Sequence, residues 1–128
     1  MEFLVAAATN DNVSFISDHF GDAKQYHIYK ISKQTIELLE TLENNTPDEN
    51  RHADPEKAKG IMKLLKEKKV QVVVSKQFGA NIKRIKAAFV CAIVKGDDLK
   101  DGLQIVQNHL DTIYHEWLLG EERNILRL

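Results

Sequence analysis

The chain opens on an uninterrupted apolar run, Phe3 to Ala8, the pattern of a strand covered on both faces. Asn10-Asp11-Asn12 is a turn signal, and Val13 to Ile16 reads as a short second strand. A polar loop, Ser17 to Gly21, leads to Gln25–Ser32, a stretch rich in aromatic and β-branched residues. Lys33 and Gln34 connect it tightly to Thr35–Leu42, which predicts an antiparallel hairpin. The opening third is therefore expected to be an antiparallel meander.

The pattern then changes. Glu43 to Ala53 is polar, carries Asn, Asp and Pro, and reads as an exposed, mobile loop. A helix follows, with Asp54 as N-cap, Pro55 at its first position and Glu56 in its first turn. Ala58, Ile61, Met62 and Leu65 form its core-facing stripe, and Lys66, Lys68 and Lys69 crowd its C-terminal end. Val70–Ser75 is a second buried strand, and the Lys76-Gln77-Phe78-Gly79 turn leads into a short helix using Ile82 and Ile85. Phe89–Val94 is a third buried strand, so this strand–helix–strand unit implies parallel pairing through a right-handed crossover. After Lys95-Gly96-Asp97, with Asp97 or Asp98 as cap, a last helix carries the seam Leu99, Leu103, Val106, Leu110, Ile113 and Trp117. Its steps of four and three suit a coiled-coil edge or a packed terminal helix. Gly120 is expected to end it, leaving a tail with Ile125, Leu126 and Leu128. A meander followed by a β–α–β half gives an α/β protein with a mixed sheet of about five strands and helices on its faces.

Composition narrows the function classes. With 128 residues and 43% hydrophobic content the chain suits one domain with a real core. A formal net charge of -1 demands neither a nucleic-acid nor an anionic-membrane partner. The lone cysteine, Cys91, can form no internal disulfide, which favours a reducing compartment. No stretch has the order of a signal peptide, and no apolar run approaches the roughly 20 residues of a membrane span. A cytoplasmic protein is the expectation.

Among residues with chemistry to offer, His19 sits in a loop near the C-terminal end of a buried strand, where ligand-binding loops gather. Its imidazole is a metal ligand or a structural hydrogen-bonding group, with Gly21 letting backbone approach a bulky guest. His52 and Arg51 share the polar loop, either merely solvated or closing over an anionic, metal-containing guest. His27 reads as a sheet-face residue, and His109 and His115 have the wrong spacing for a helical metal pair. The turn from Lys76 to Asn81, with Lys83 and Arg84 beyond it, is an ordinary strand-to-helix connection or an anion site. Cys91, inside FVCAIV, reads as a small buried hydrophobe. No CxxC, phosphate-binding lysine loop, dinucleotide fingerprint or GxSxG element is present, and no strand core carries the acidic residues of two-metal phosphoryl transfer.

One ordered set of motifs goes further. Ala8-Thr9-Asn10-Asp11 and Val13 are followed by Ser17, His19, Phe20 and Gly21 as a Ser-x-His-Phe-Gly element. Tyr26-His27-Ile28-Tyr29 comes next, and Val72-Val73-Val74-Ser75 later precedes Phe78-Gly79. This order resembles the dinitrogenase iron–molybdenum cofactor biosynthesis family, of the NifX/NifB C-terminal type, over most of residues 2–110. The resemblance implies a three-layer α/β/α domain of ribonuclease H-like shape in residues 1–110. Residues 111–128 would be a C-terminal helical extension packed on or beside it.

The resemblance also implies non-enzymatic binding or carriage of an iron–sulfur or iron–molybdenum cluster precursor. His19 maps to a histidine considered a candidate cluster contact in some members, and His52 would map to one in the loop before the first long helix. Ser17, Phe20 and Gly21 would shape the first loop, Arg51 and His52 would gate it, and Lys76, Gly79 and Lys83 would receive a negatively charged cluster. The expected partners are the cluster cargo and a donor or acceptor protein. The chain lacks a radical-enzyme cysteine motif, so a cluster-building enzyme is not expected. Two other readings stand beside this one. The first is an interaction module, including a homodimer, that works through the helix from Leu99 to Trp117. The second binds a small phosphorylated ligand at the Phe78-Gly79 turn.

Overall fold

Strand β1 (Glu2–Thr9) lies inside one mixed sheet. The structure, a computed structural model, describes residues 1–44 and 55–128, with side chains for all of these except 55–59. β1 pairs antiparallel with β2 (Gln25–Ser32), which pairs antiparallel with β3 (Ile36–Glu43). On its other side β1 runs parallel to β4 (Val72–Ser75), and β4 runs parallel to β5 (Val90–Ile93). β6 (Leu126–Arg127) closes that side parallel to β5, giving the order β3-β2-β1-β4-β5-β6.

The period-two alternation of the strands sorts their side chains into two cores. Val5, Ala7, Val72, Val74, Val90 and Ala92 meet α3 (Leu99–Asn108) and α4 (Leu110–Leu118) on one face. Ala6, Ala8, Val73 and Cys91 meet α1 (Pro55–Glu67) and α2 (Ile82–Ala88) on the other, through Ile61, Leu65 and Ile85. Strands filled on both faces explain the uninterrupted apolar runs, and the result is the expected three-layer α/β/α sandwich. No described helix is long and apolar enough to cross a membrane.

Three expectations need correction. Val13–Ile16 is not a strand, and touches its surroundings through single bridges, Thr9 to Phe15 and Ser14 to Asp98. Side chains take the backbone groups that a strand would use. Thr9 Oγ1 donates to the Ser14 carbonyl at 2.6 Å, and Asp11 Oδ1 accepts the Val13 and Ser14 N–H groups at 2.9 and 2.7 Å. Asn12 adopts the left-handed φ of 69° that such a turn needs.

The last helix breaks at His109. Its N–H bonds Val106 instead of continuing the ladder, and its Nδ1–H donates to the Ile105 carbonyl at 2.7 Å. The seam nevertheless runs on through the break, and Leu99, Leu103, Val106, Leu110 and Ile113 are all buried against the chain's own sheet. That face is core, so the seam belongs to a packed terminal helix and not to a coiled-coil edge.

The tail is a sixth strand. Leu126 and Arg127 pair with Ala92 and Ile93, and the Leu128 N–H donates to the Ile93 carbonyl at 2.9 Å. Arg123 fastens this segment to α2 and α4, donating to the Ala87 carbonyl at 3.0 Å and the Trp117 carbonyl at 3.1 Å. Its guanidinium also lies 4.4 Å from the Trp117 ring centroid. Lys86 Nζ donates in return to the Arg123 carbonyl at 3.1 Å.

Candidate functional site

The loops that follow β1 and β4 meet at the C-terminal end of these parallel strands, where ligand sites gather in open α/β sheets. The Phe20 N–H donates to the Gln77 carbonyl at 3.0 Å, and Gln77 Nε2 donates to the Ser17 carbonyl at 2.5 Å. Phe20 is only 1% exposed, its ring 5.3 Å from that of Phe78 and 5.1 Å from that of Tyr26. Tyr26 Oη donates to the Phe20 carbonyl at 2.7 Å. Phe20 is therefore the anchor of its loop and presents no surface to a guest. With Phe20 driven inward, His19 is carried to the rim.

The His19 imidazole lies across Gly79. A Cβ on Gly79 would fall 2.6 Å from ring atoms Cγ and Nδ1 and 3.0 Å from Cε1, and the Gly79 φ of +80° favours glycine independently. On the same side, Nδ1 faces Asp22 Oδ2 at 3.8 Å. The His19 side chain is 34% exposed and that of Asp22 only 6%. Gly21 stands apart from this packing: among the described residues, a Cβ there would meet nothing within 4 Å. Its carbonyl accepts from Asn44 Nδ2 at 3.3 Å, which ties the loop to the end of β3.

On the loop that precedes the histidine, a recess of about 380 Å³ is lined by Asn10, Asp11, Ser14, Ser17, Lys76 and Asp97 among others, and His19 does not line it. The Lys76 ammonium forms an ion pair with Asp97, so the charge expected to draw an anionic guest is already answered. Lys83 is exposed on the first turn of α2. The Phe78-Gly79 turn offers little to a phosphorylated ligand, because Phe78 is buried and the His19 ring covers Gly79. Arg51 and His52, with the cap Asp54, lie outside the described residues.

Other groups are committed elsewhere. Cys91 is fully buried, and burial pushes its thiol up to about 12 despite the opposing pull of Arg123 and Lys86. His27 is a sheet-face residue whose Nε2–H donates to Asn12 Oδ1 at 2.8 Å while Nδ1 accepts from Tyr29 Oη at 3.0 Å. Burial holds its pKa below the ordinary value. Among the described residues, no three His, Cys, Asp or Glu side chains converge as a metal site. What the described rim offers a metal is one imidazole with a carboxylate behind it. That donor set suits an exchangeable hold on a cluster that brings its other ligands with it.

Sequence reasoning passed over Asp22 and Gln77. Asp22 was legible only as one more turn carboxylate, although its place three residues after His19 puts it within reach in any tight turn. Gln77 carried no signal, since its contribution is a carbonyl and an amide reaching a loop distant in sequence.

The dinitrogenase iron–molybdenum cofactor family matches residues 1–109, ending where α3 gives way to α4. No curated protein matches the chain. A match over this share of the sequence places the chain in that family: it belongs to the dinitrogenase iron–molybdenum cofactor family.

Proposed function

We propose that this family member binds and carries an iron–sulfur or iron–molybdenum cluster precursor at the His19 rim, without catalysing its assembly. The observation that carries the reading is the placement of His19: its ring laid over Gly79, its side chain one-third exposed, and backed by a buried carboxylate. A carrier must release what it holds, and a single imidazole from a short loop exchanges more readily than a closed set of thiolates. Gly21 leaves space on the loop for a bulky guest. Exposed Lys83 adds attraction for an anionic cluster, and Arg51 and His52 supply a second contact and a gate. The partners of such a carrier are a cluster donor and a cluster acceptor, and a reducing cytoplasm suits both cargo and free thiol.

Anaerobic titration with a synthetic thiolate-ligated [4Fe–4S] cluster tests this directly. The wild type is expected to retain visible absorbance through gel filtration, and His19→Ala to lose most of it. Equal retention by the two proteins would refute carriage at this site.

A further inference from the structure

We infer that Asp22 is a positioning residue for His19, holding the ring proton on Nδ1 so that Nε2 meets the cargo with its lone pair free. The inference rests on the reading of His19 as the cargo ligand. Three features carry it. The Asp22 N–H donates to the His19 carbonyl at 2.9 Å, which fixes both residues in one tight turn. Asp22 Oδ2 then stands 3.8 Å from Nδ1, on a side chain 6% exposed, where a charge is poorly screened. Gly79 underlies the face of the ring, with Cγ, Nδ1 and Cε1 the atoms nearest the position its Cβ would take, which holds the imidazole in place beside the carboxylate. Of the two ring nitrogens, Nδ1 is the one that faces the carboxylate, which leaves Nε2 for the cargo.

An ionised carboxylate only accepts hydrogen bonds, so it favours the tautomer that carries hydrogen on the facing nitrogen. At 3.8 Å the contact is electrostatic, beyond the length of a hydrogen bond. In the Nδ1–H tautomer Nε2 carries no proton. Ligand exchange on a thiolate-ligated iron cluster is then simple: Nε2 donates its lone pair to one iron, and one thiolate leaves with its electron pair. The ring releases no proton, and no electron is transferred. A carboxylate behind a ligating histidine also raises the basicity of the nitrogen that binds.

Long-range ¹⁵N–¹H correlation NMR on the cargo-free chain, above the titration range of imidazole, reads the tautomer without any metal. His19 is expected as Nδ1–H in the wild type and as largely Nε2–H in Asp22→Ala. The same substitution is expected to weaken binding of the synthetic [4Fe–4S] cluster by about ten- to a hundredfold, with an unchanged far-ultraviolet circular dichroism spectrum. Asp22→Asn, which keeps an acceptor oxygen without the charge, should fall between the two. A wild-type His19 already in the Nε2–H form, or an Asp22→Ala tautomer identical to wild type, overturns the inference. Undiminished cluster binding by His19→Ala would instead remove the carriage reading and leave the tautomer result standing.

Discussion

The His19 ring fills the place where a side chain on Gly79 would stand. Two motif elements far apart in sequence are thus the two halves of one contact, and their co-occurrence has a packing reason. Neither half holds its geometry alone. Without Gly79 the imidazole has no floor, and without the Phe20 anchor the loop has no reason to deliver it there.

Gly79→Ala is accordingly expected to displace the ring. The positive φ alone costs about 1–2 kcal/mol for a residue with a Cβ, and the new methyl would overlap Cγ and Nδ1. Urea unfolding should show a loss of that order, with cluster retention falling to the level of His19→Ala. Retention at the wild-type level would mean the ring position is unimportant.

Gly102 poses the opposite question inside α3, where alanine ordinarily gains about 1 kcal/mol in helix propensity. A Cβ there would fall 2.3 Å from Phe15 Cε2 and 2.6 Å from Cζ. Overpacking of this kind costs roughly 1–3 kcal/mol, so Gly102→Ala is expected to be net destabilising. Combining it with Phe15→Leu should recover part of the loss, and thermal melts of the two variants measure it.

His27 makes stability fall with acid. Burial lowers its folded-state pKa below the ordinary 6.5, so in the window between the two values the unfolded chain binds more protons. Its contribution is complete above the unfolded value, is lost as pH drops through that window, and levels off below the folded value. Denaturant midpoints across this range should slope less in His27→Gln than in the wild type. Identical slopes would show that His27 is not the group responsible.

The thiol of Cys91, pushed up to about 12, stays protonated at neutral pH and has no route to solvent. An aromatic disulfide reagent is expected to label it only on the timescale of global unfolding. Rapid labelling of the native chain would place Cys91 in a segment that opens without global unfolding.

Arg123→Ala should loosen the C-terminal strand. It removes three hydrogen bonds to carbonyls and a contact with the Trp117 ring, each worth up to about 1–3 kcal/mol. Hydrogen exchange at the β6 amides is expected to accelerate before that of β1, and Arg123→Lys should rescue little because it lacks the planar fork.

Most elements were legible because each is written in a local period. The apolar runs at Phe3–Ala8 and in Val72–Ser75, the β–α–β spacing and the α1 stripe all report burial that a neighbouring layer then satisfies. Val13–Ile16 misled because its composition suits a strand, while Thr9 and Asp11 take the Val13 and Ser14 N–H groups and the Ser14 carbonyl. The break at His109 was hidden for a similar reason: the seam stays in phase across it, and only the imidazole's bond to Ile105 marks the interruption.

Sequence by itself determined the layers of this protein, since hydrophobic periodicity is a property of consecutive residues and is readable wherever it is uninterrupted. It also marked His19 and Gly79 as residues to watch. Only the tertiary structure decided that these two touch, that Asp22 stands behind the ring and that Asp97 occupies Lys76. Such pairings depend on how two loops approach in space at the sheet's edge, and no local pattern of polar and apolar positions encodes that distance.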